Sequence, residues 1–405
     1  MNHRHTRITA TAVLLLLGTP AWAQTSPWYI GVSQTLTHES NLLRIREGQA
    51  LPEGSSLSDT VSSTALVAGV DQRFGRQRLF GSAALRANRY SENDALNSQG
   101  YGLDLGLDWE TLYALSGKLT LGADRTQRAD LRGRRGEVLA GGNVENARRG
   151  GATVRLGVAG PLALEAGVNG SRVRYGNPAA AYADYDQNGA SLGGRYQLGG
   201  ATSAALTARR TRFDYPNLLV GRADTNDRRT RDEIELSTDW QATGTSRIEA
   251  SLGRGKTQHE QLPQRDFSST TGAVAWTWNP GGRLSVNTRL GRDTGQNSDV
   301  TTNAFSQTTD SLTVNARYEL TGKTRLTLVA QAYQRQLSGN SLFLTGIEGK
   351  DRGSNVTLGL RWEALRSLSV GCQIAHDERG RNSNPALNDA YSANVVSCSG
   401  QLVLQ

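Results

Sequence analysis

The chain has 405 residues, 37% hydrophobic and 20% charged, with a formal net charge of +8. A mean hydropathy of -0.48 excludes a bundle of membrane helices, each of which needs roughly 18 or more consecutive apolar residues. The basic surplus does not point to nucleic acid, because acids are interspersed among the bases and no basic cluster carries interleaved aromatics.

The one apolar run is N-terminal. A basic start (His3, Arg4, His5, Arg7) precedes an apolar stretch over Ala10–Gly18 and an A-x-A site at Ala21-Trp22-Ala23. This reads as a cleaved secretory signal over 1–23, leaving one domain over 24–405. No lipobox cysteine stands at the cleavage site and no second hydrophobic segment follows. The exported chain is then secreted, periplasmic or an outer-membrane barrel.

Beyond the signal, short turn clusters recur about every 40 residues: Gly75-Arg76, 114–117, 159–161, Gly199-Gly200, 242–244, 280–282, 321–323 and 364–366. Longer polar connectors alternate with them at 40–57, 91–96, 129–142, 175–181, 215–228, 258–264, 294–303, 337–349 and 379–387. Between turns and connectors, apolar residues recur with a period of two, as in Leu103, Leu105, Leu107 and Trp109, or Val356, Leu358, Leu360 and Trp362. Period two is the strand signature. Eight mature-chain prolines (27, 52, 161, 178, 216, 263, 280 and 385) fall in connectors or before the first strand, as a ladder that needs every amide requires. A propeller would need four short strands per repeat, and here each repeat holds two long ones. Segments of about ten residues, apolar on one face and polar on the other, predict an all-β transmembrane antiparallel barrel. The count is 18 strands, with 16 as the alternative. Short turns lie in the periplasm and longer loops outside.

Residues between the apolar ones mark the inner face. Predicted pore-lining groups are Arg86, Asp104, Asp108, Arg155, Arg195, Arg209, Glu233, Glu235, Asp239, Arg289, Arg317, Glu319, Arg361 and Glu363. A mixed charged wall suits a hydrated lumen; a plugged or salt-bridged interior is the alternative. Trp28, Tyr29, Trp109, Tyr196, Trp240, Trp278, Tyr318 and Trp362 are predicted as a periplasmic aromatic girdle. A looser set, Tyr90, Tyr175, Phe213, Phe267 and Tyr391, lies near the long loops. Cys372 and Cys398 fall opposite each other on the last two strands and are disulfide candidates. Two free lipid-facing thiols are the other reading. Connector 40–57 is either a mobile external loop or an inward-folded constriction. His38, His259 and His376 read as surface histidines near outer strand ends, and no spaced metal set, nucleotide loop or catalytic group stands out. No enzyme activity and no cofactor are expected.

Two end segments carry a resemblance. Tyr29-Ile30-Gly31-Val32 leads into His38-Glu39-Ser40-Asn41-Leu42-Leu43-Arg44; near the other end, Asp377-Glu378-Arg379 precedes Asn382-Ser383-Asn384 and Tyr391-Ser392-Ala393-Asn394. Together they resemble the β-barrel porin family associated with exopolysaccharide-biosynthesis operons of Gram-negative bacteria, including exosortase-linked ones. The opening box is similar to that family's D-S-N-L-[FL]-R segment, with Glu39 in the acidic place. The ending Leu402-Val403-Leu404-Gln405 departs from the terminal aromatic of many outer-membrane barrels. The resemblance implies an outer-membrane pore for export of an extracellular polysaccharide. Its implied partners are outer-membrane lipid, the polysaccharide chain, and periplasmic export and barrel-assembly proteins. A general diffusion porin for small anions or sugars, and a structural or adhesive barrel with a plugged lumen, are the competing expectations.

Overall fold

The computed structural model describes residues 26–112, 114–128, 138–139, 141, 143–157, 160–220, 223–261, 263–297, 305–339, 347–384 and 390–405. The expected signal over 1–23 lies outside them, as do Pro385 and parts of the connectors at 129–142, 294–303, 337–349 and 379–387.

Eighteen strands form one antiparallel sheet. In chain order they are β1 Trp28–Glu39, β2 Asp59–Phe74, β3 Gln77–Tyr90, β4 Ser98–Glu110, β5 Leu115–Gln127, β6 Val144–Leu156, β7 Leu162–Tyr175, β8 Tyr185–Gly199 and β9 Thr202–Val220. The second half continues as β10 Ala223–Thr243, β11 Ser246–His259, β12 Phe267–Gly281, β13 Leu284–Asn297, β14 Phe305–Glu319, β15 Thr324–Gly339, β16 Ile347–Glu363, β17 Leu368–Arg379 and β18 Tyr391–Leu404. Each strand pairs with its sequence neighbours. β1 also pairs with β18, Ile30 opposite Leu404 through Glu39 opposite Val395, which closes the sheet. Closure gives every one of these strands a neighbour on both sides, which is what lets a sheet sit in lipid.

The two faces follow the pleat. Ile30, Leu66, Leu85, Leu121, Val168, Leu192, Ile234, Leu252, Leu290, Leu358 and Ile374 are large apolar side chains left exposed on the outer face. In a soluble protein such a surface would be an aggregation liability; around a closed barrel it is a lipid belt. The glycines and polar residues between them turn inward.

Two prolines mark departures from a straight ladder. The connector expected at 215–228 is instead largely strand: β9 runs to Val220 and β10 starts at Ala223, and the two stay paired there. Pro216 therefore lies inside β9. It is tolerated because the register shifts between Thr225 and Asp227 on the facing strand, so its missing amide falls in a bulge. Pro280 sits at the corresponding shift between Trp278 and Gly281 of β12.

Cys372 and Cys398 stand directly opposite each other on β17 and β18 and form a disulfide. They share the outer face with Val370, Ile374 and Val396. Loop-closure entropy for a separation of 26 residues puts the effect of the bridge at up to about 3.5 kcal/mol. The double variant Cys372→Ser/Cys398→Ser is expected to unfold at lower urea concentration, read from the gel shift between folded and unfolded barrel; equal midpoints would show the bridge to be idle.

Candidate functional site

The face opposite the lipid belt carries the chemistry. All fourteen charged residues expected on the inner wall alternate with belt residues on their strands and lie on this face. From mid-barrel towards the short turns, these residues and their neighbours form partly exposed ion pairs. Arg149 reaches both Asp104 and Asp124 at 2.5 Å, and Arg155 pairs with Glu165 at 2.5 Å. Arg247 pairs with Asp239 and, at 3.1 Å, with Glu249. Arg325 meets Glu319 at 2.7 Å. Arg78 pairs with Asp71 at 2.5 Å and lies 4.0 Å from Asp108, which Lys118 approaches at 3.8 Å. Arg195 donates to the Ser203 hydroxyl and Arg361 to that of Ser369. Arg289 lies 4.0 Å from Asp293, and Arg317 is exposed. This half of the wall is wet, charged, and close to balanced in sign.

Arg149 depends on a glycine. Asp104 of β4 and Arg149 of β6 both face Gly122 of β5. A Cβ at Gly122 would collide with the Arg149 side chain. The bare backbone lets the guanidinium cross one strand and reach a carboxylate two strands away.

Nearer the long loops the inner face is packed. Glu233 is buried beneath Arg231 at 3.1 Å and Arg209 at 3.6 Å, and it accepts from the Thr271 hydroxyl. Glu235 is buried beside it. Arg229 lies over the rings of Phe213 and Tyr215, at 4.7 and 4.5 Å from their centroids. His259 is not the surface histidine expected. Its imidazole is fully buried 3.8 Å from Asp227 and 3.4 Å from Asp266. His38 and His376 contact Thr60 and Asn394.

One aromatic expectation needs correction. Trp28, Tyr196, Trp240, Trp278, Tyr318 and Trp362 are exposed on the outer face near the short turns, and Trp109 shares that face beside Gly117. Tyr29 is not part of this girdle. As the neighbour of Trp28 on an extended strand it must point the other way. Its ring lies over Gly69 and packs on Ala65, Val67 and Ala84. The looser set lies near the long loops and faces inward. Tyr90, Tyr175, Phe213, Phe267 and Tyr391 all share strand parity with luminal residues, and Tyr175 and Phe213 are buried.

The two end segments meet where the barrel closes. Arg44 pairs with Glu39 and, at 3.2 Å, with Asp377. Its guanidinium lies 5.8 Å from the Tyr391 ring centroid and that of Arg379 5.9 Å. Asn41 spans its own turn by accepting from the Ile45 amide and donating to the Ile45 carbonyl, and it also donates to the Ser392 carbonyl. Leu42, Leu43 and Ile45 are buried. Asp351 receives two bonds from Arg335, at 2.7 and 2.6 Å, with Arg379 3.7 Å away and Asn382 at 3.4 Å. The start of connector 40–57 is therefore tied to the luminal face of β17 and β18. Among the described residues, no group of three or more His, Cys, Asp and Glu is arranged to hold a metal.

A closed 18-stranded barrel with an apolar outer belt, an aromatic girdle and a charged interior defines the class: a porin-like β-barrel of the outer membrane. Residues 235–391 match the family described as "Putative MetA-pathway of phenol degradation". Comparison with curated protein sequences finds no match. Among solved structures, the chain is similar to Pseudomonas aeruginosa OccK2 (OpdF) in complex with glucuronate. The TM-score is 0.50 at 14% identity, covering 94% of this chain and 98% of that one. Pseudomonas aeruginosa OccK1 (OpdK) aligns with a TM-score of 0.49 at 15% identity over 93% of this chain and 99% of that one. For OccK9 (OpdG) of the same organism the values are 0.47 and 13%, over 93% and 98%. The similarity to OccK2 is one of fold.

Proposed function

We propose that the protein is a passive channel for hydrophilic solutes, with sugars favoured over ions of either sign. The observation that carries this reading is the wet half of the lumen, where arginines and carboxylates stand in contact along the wall. Paired charges leave little net field to select an ion by sign. They do offer many donors and acceptors to hydroxyl groups. Residues 1–23 act as the export signal, and short turns face the periplasm. In proteoliposomes, purified protein is expected to admit mono- and disaccharides and to show nearly equal permeability to potassium and chloride. Liposomes that stay closed to every sugar tried would refute it.

Export of an extracellular polysaccharide is the second reading. It is supported by the meeting of the resembling end segments in one cluster around Arg44, Asp377 and Tyr391. On this reading the partners are a polysaccharide chain and periplasmic export proteins. A deletion strain separates the two: lost surface polysaccharide with normal sugar uptake favours export, and the reverse favours a diffusion channel.

A further inference from the structure

We propose that a basic patch on the outer face of β9, β10 and β11 binds the phosphate groups of outer-leaflet lipid headgroups. On each of these strands the lipid belt stops at a defined level. Leu206 and Ala208 give way to Arg210 and Arg212 on β9; Leu236 and Ile234 give way to Asp232, Thr230 and Arg228 on β10; Leu252 gives way to Arg254 and Lys256 on β11. The alternation is unbroken, so these polar side chains point outward with the belt residues below them. Arg210, Arg212, Arg228, Arg254 and Lys256 are all exposed.

The register sets them side by side. Arg210 faces Asp232, which faces Lys256; Arg212 faces Thr230; Ile234 faces Arg254. Arg210 is neutralised by Asp232 at 2.6 Å and Arg228 by Asp214 at 3.2 Å. Arg212, Arg254 and Lys256 have no acidic partner among the described residues. Arg254 donates to the Thr270 hydroxyl at 2.9 Å. From strand geometry, Arg254 and Lys256 stand about 7 Å apart on one strand, with Arg212 about 12 Å from Lys256. On β7 and β13 two outward cations are matched: Arg172 pairs with Asp186 and Arg292 with Asp310.

The position decides the occupant. The patch lies at the long-loop end, which faces the cell exterior, and it adjoins the apolar belt with no polar step between. Anything filling it shares the headgroup layer. The aromatics near the long loops turn inward, so phosphate-binding cations rather than amphipathic rings meet the interface here. Clustered lysine and arginine beside a bilayer core are a recognised match for anionic lipid, and guanidinium groups match phosphate geometry.

The test uses the full barrel in detergent, probed with a bis-phosphorylated disaccharide lipid and the same lipid lacking its phosphates. Retained lipid is counted by native mass spectrometry. The wild type is expected to prefer the phosphorylated lipid at least tenfold. The variant Arg212→Ser/Arg254→Ser/Lys256→Ser is expected to lose that preference while keeping its folded gel migration and its conductance, since none of the three faces the lumen. Arg149→Ala, on the inner face, is expected to keep the preference. A triple variant that retains it, or a wild type without it, would overturn the proposal. So would removal of the lipid by millimolar inorganic phosphate, which would indicate a free-anion site.

Discussion

Asp351→Ala is expected to destabilise the barrel by about 3–5 kcal/mol. The carboxylate is buried at the start of β16, held in a fork by Arg335 and approached by Arg379 and Asn382. The substitution removes the carboxylate that grips Arg335 in a fork, where that side chain is largely buried over the Tyr333 ring, 5.2 Å from its centroid. The main cost is keeping a buried cation after its charge-assisted fork is lost. Asp310→Ala gives the contrast. Its bond to Arg292 is equally short, at 2.6 Å, but both groups are about half exposed. Exposed pairs contribute about 0–1 kcal/mol, so this variant should unfold close to wild type. Urea titration of both, followed by the gel shift of the folded barrel, checks the difference. Equal midpoints would mean that water reaches Asp351 freely.

Much of this architecture was legible because a barrel strand repeats one simple rule. Residues such as Leu103, Leu105 and Leu107, spaced by two, imply a strand with one face in lipid, and Asp104 and Asp108 then belong to the other. The rule reaches as far as parity is applied. Tyr29 could never share a face with Trp28. Tyr175 is an odd number of residues from Leu164 and Val168, so it too had to point inward. Judging Tyr29 by its level along the barrel alone misplaced it. Pro216 was unreadable for a different reason: a bulge depends on the facing strand, and no local pattern announces it. The cluster around Arg44 needed closure itself. Glu39 and Asp377 are distant in sequence and become neighbours only when β1 zips to β18. His259 likewise gained its meaning from Asp227 and Asp266, supplied by another strand and a turn.

Arg149→Ala tests whether the paired wall lies on the solute path. The variant removes one positive charge from between Asp104 and Asp124 and leaves both carboxylates in place. Stability should change by no more than about 1 kcal/mol, because Arg149 and its partners are well hydrated. Permeation should change more. An uncompensated unit charge acts on an ion about 10 Å away with about 0.4 kcal/mol in bulk water, and with more between low-dielectric walls. Cations gain what anions lose, so the potassium-to-chloride permeability ratio should rise about fivefold. The shift should fade in molar salt, where the screening length falls to about 3 Å. Asp104→Asn should move the ratio in the opposite direction. Gly122→Val supplies the geometric control: it displaces the guanidinium and keeps the charge, so selectivity should stay near wild type while the bond to Asp104 is lost. Reversal potentials across planar bilayers read all three variants. If Arg149→Ala leaves the reversal potential unchanged at low salt, ions do not pass this wall, and the charged face is a brace for the barrel rather than the lining of its channel.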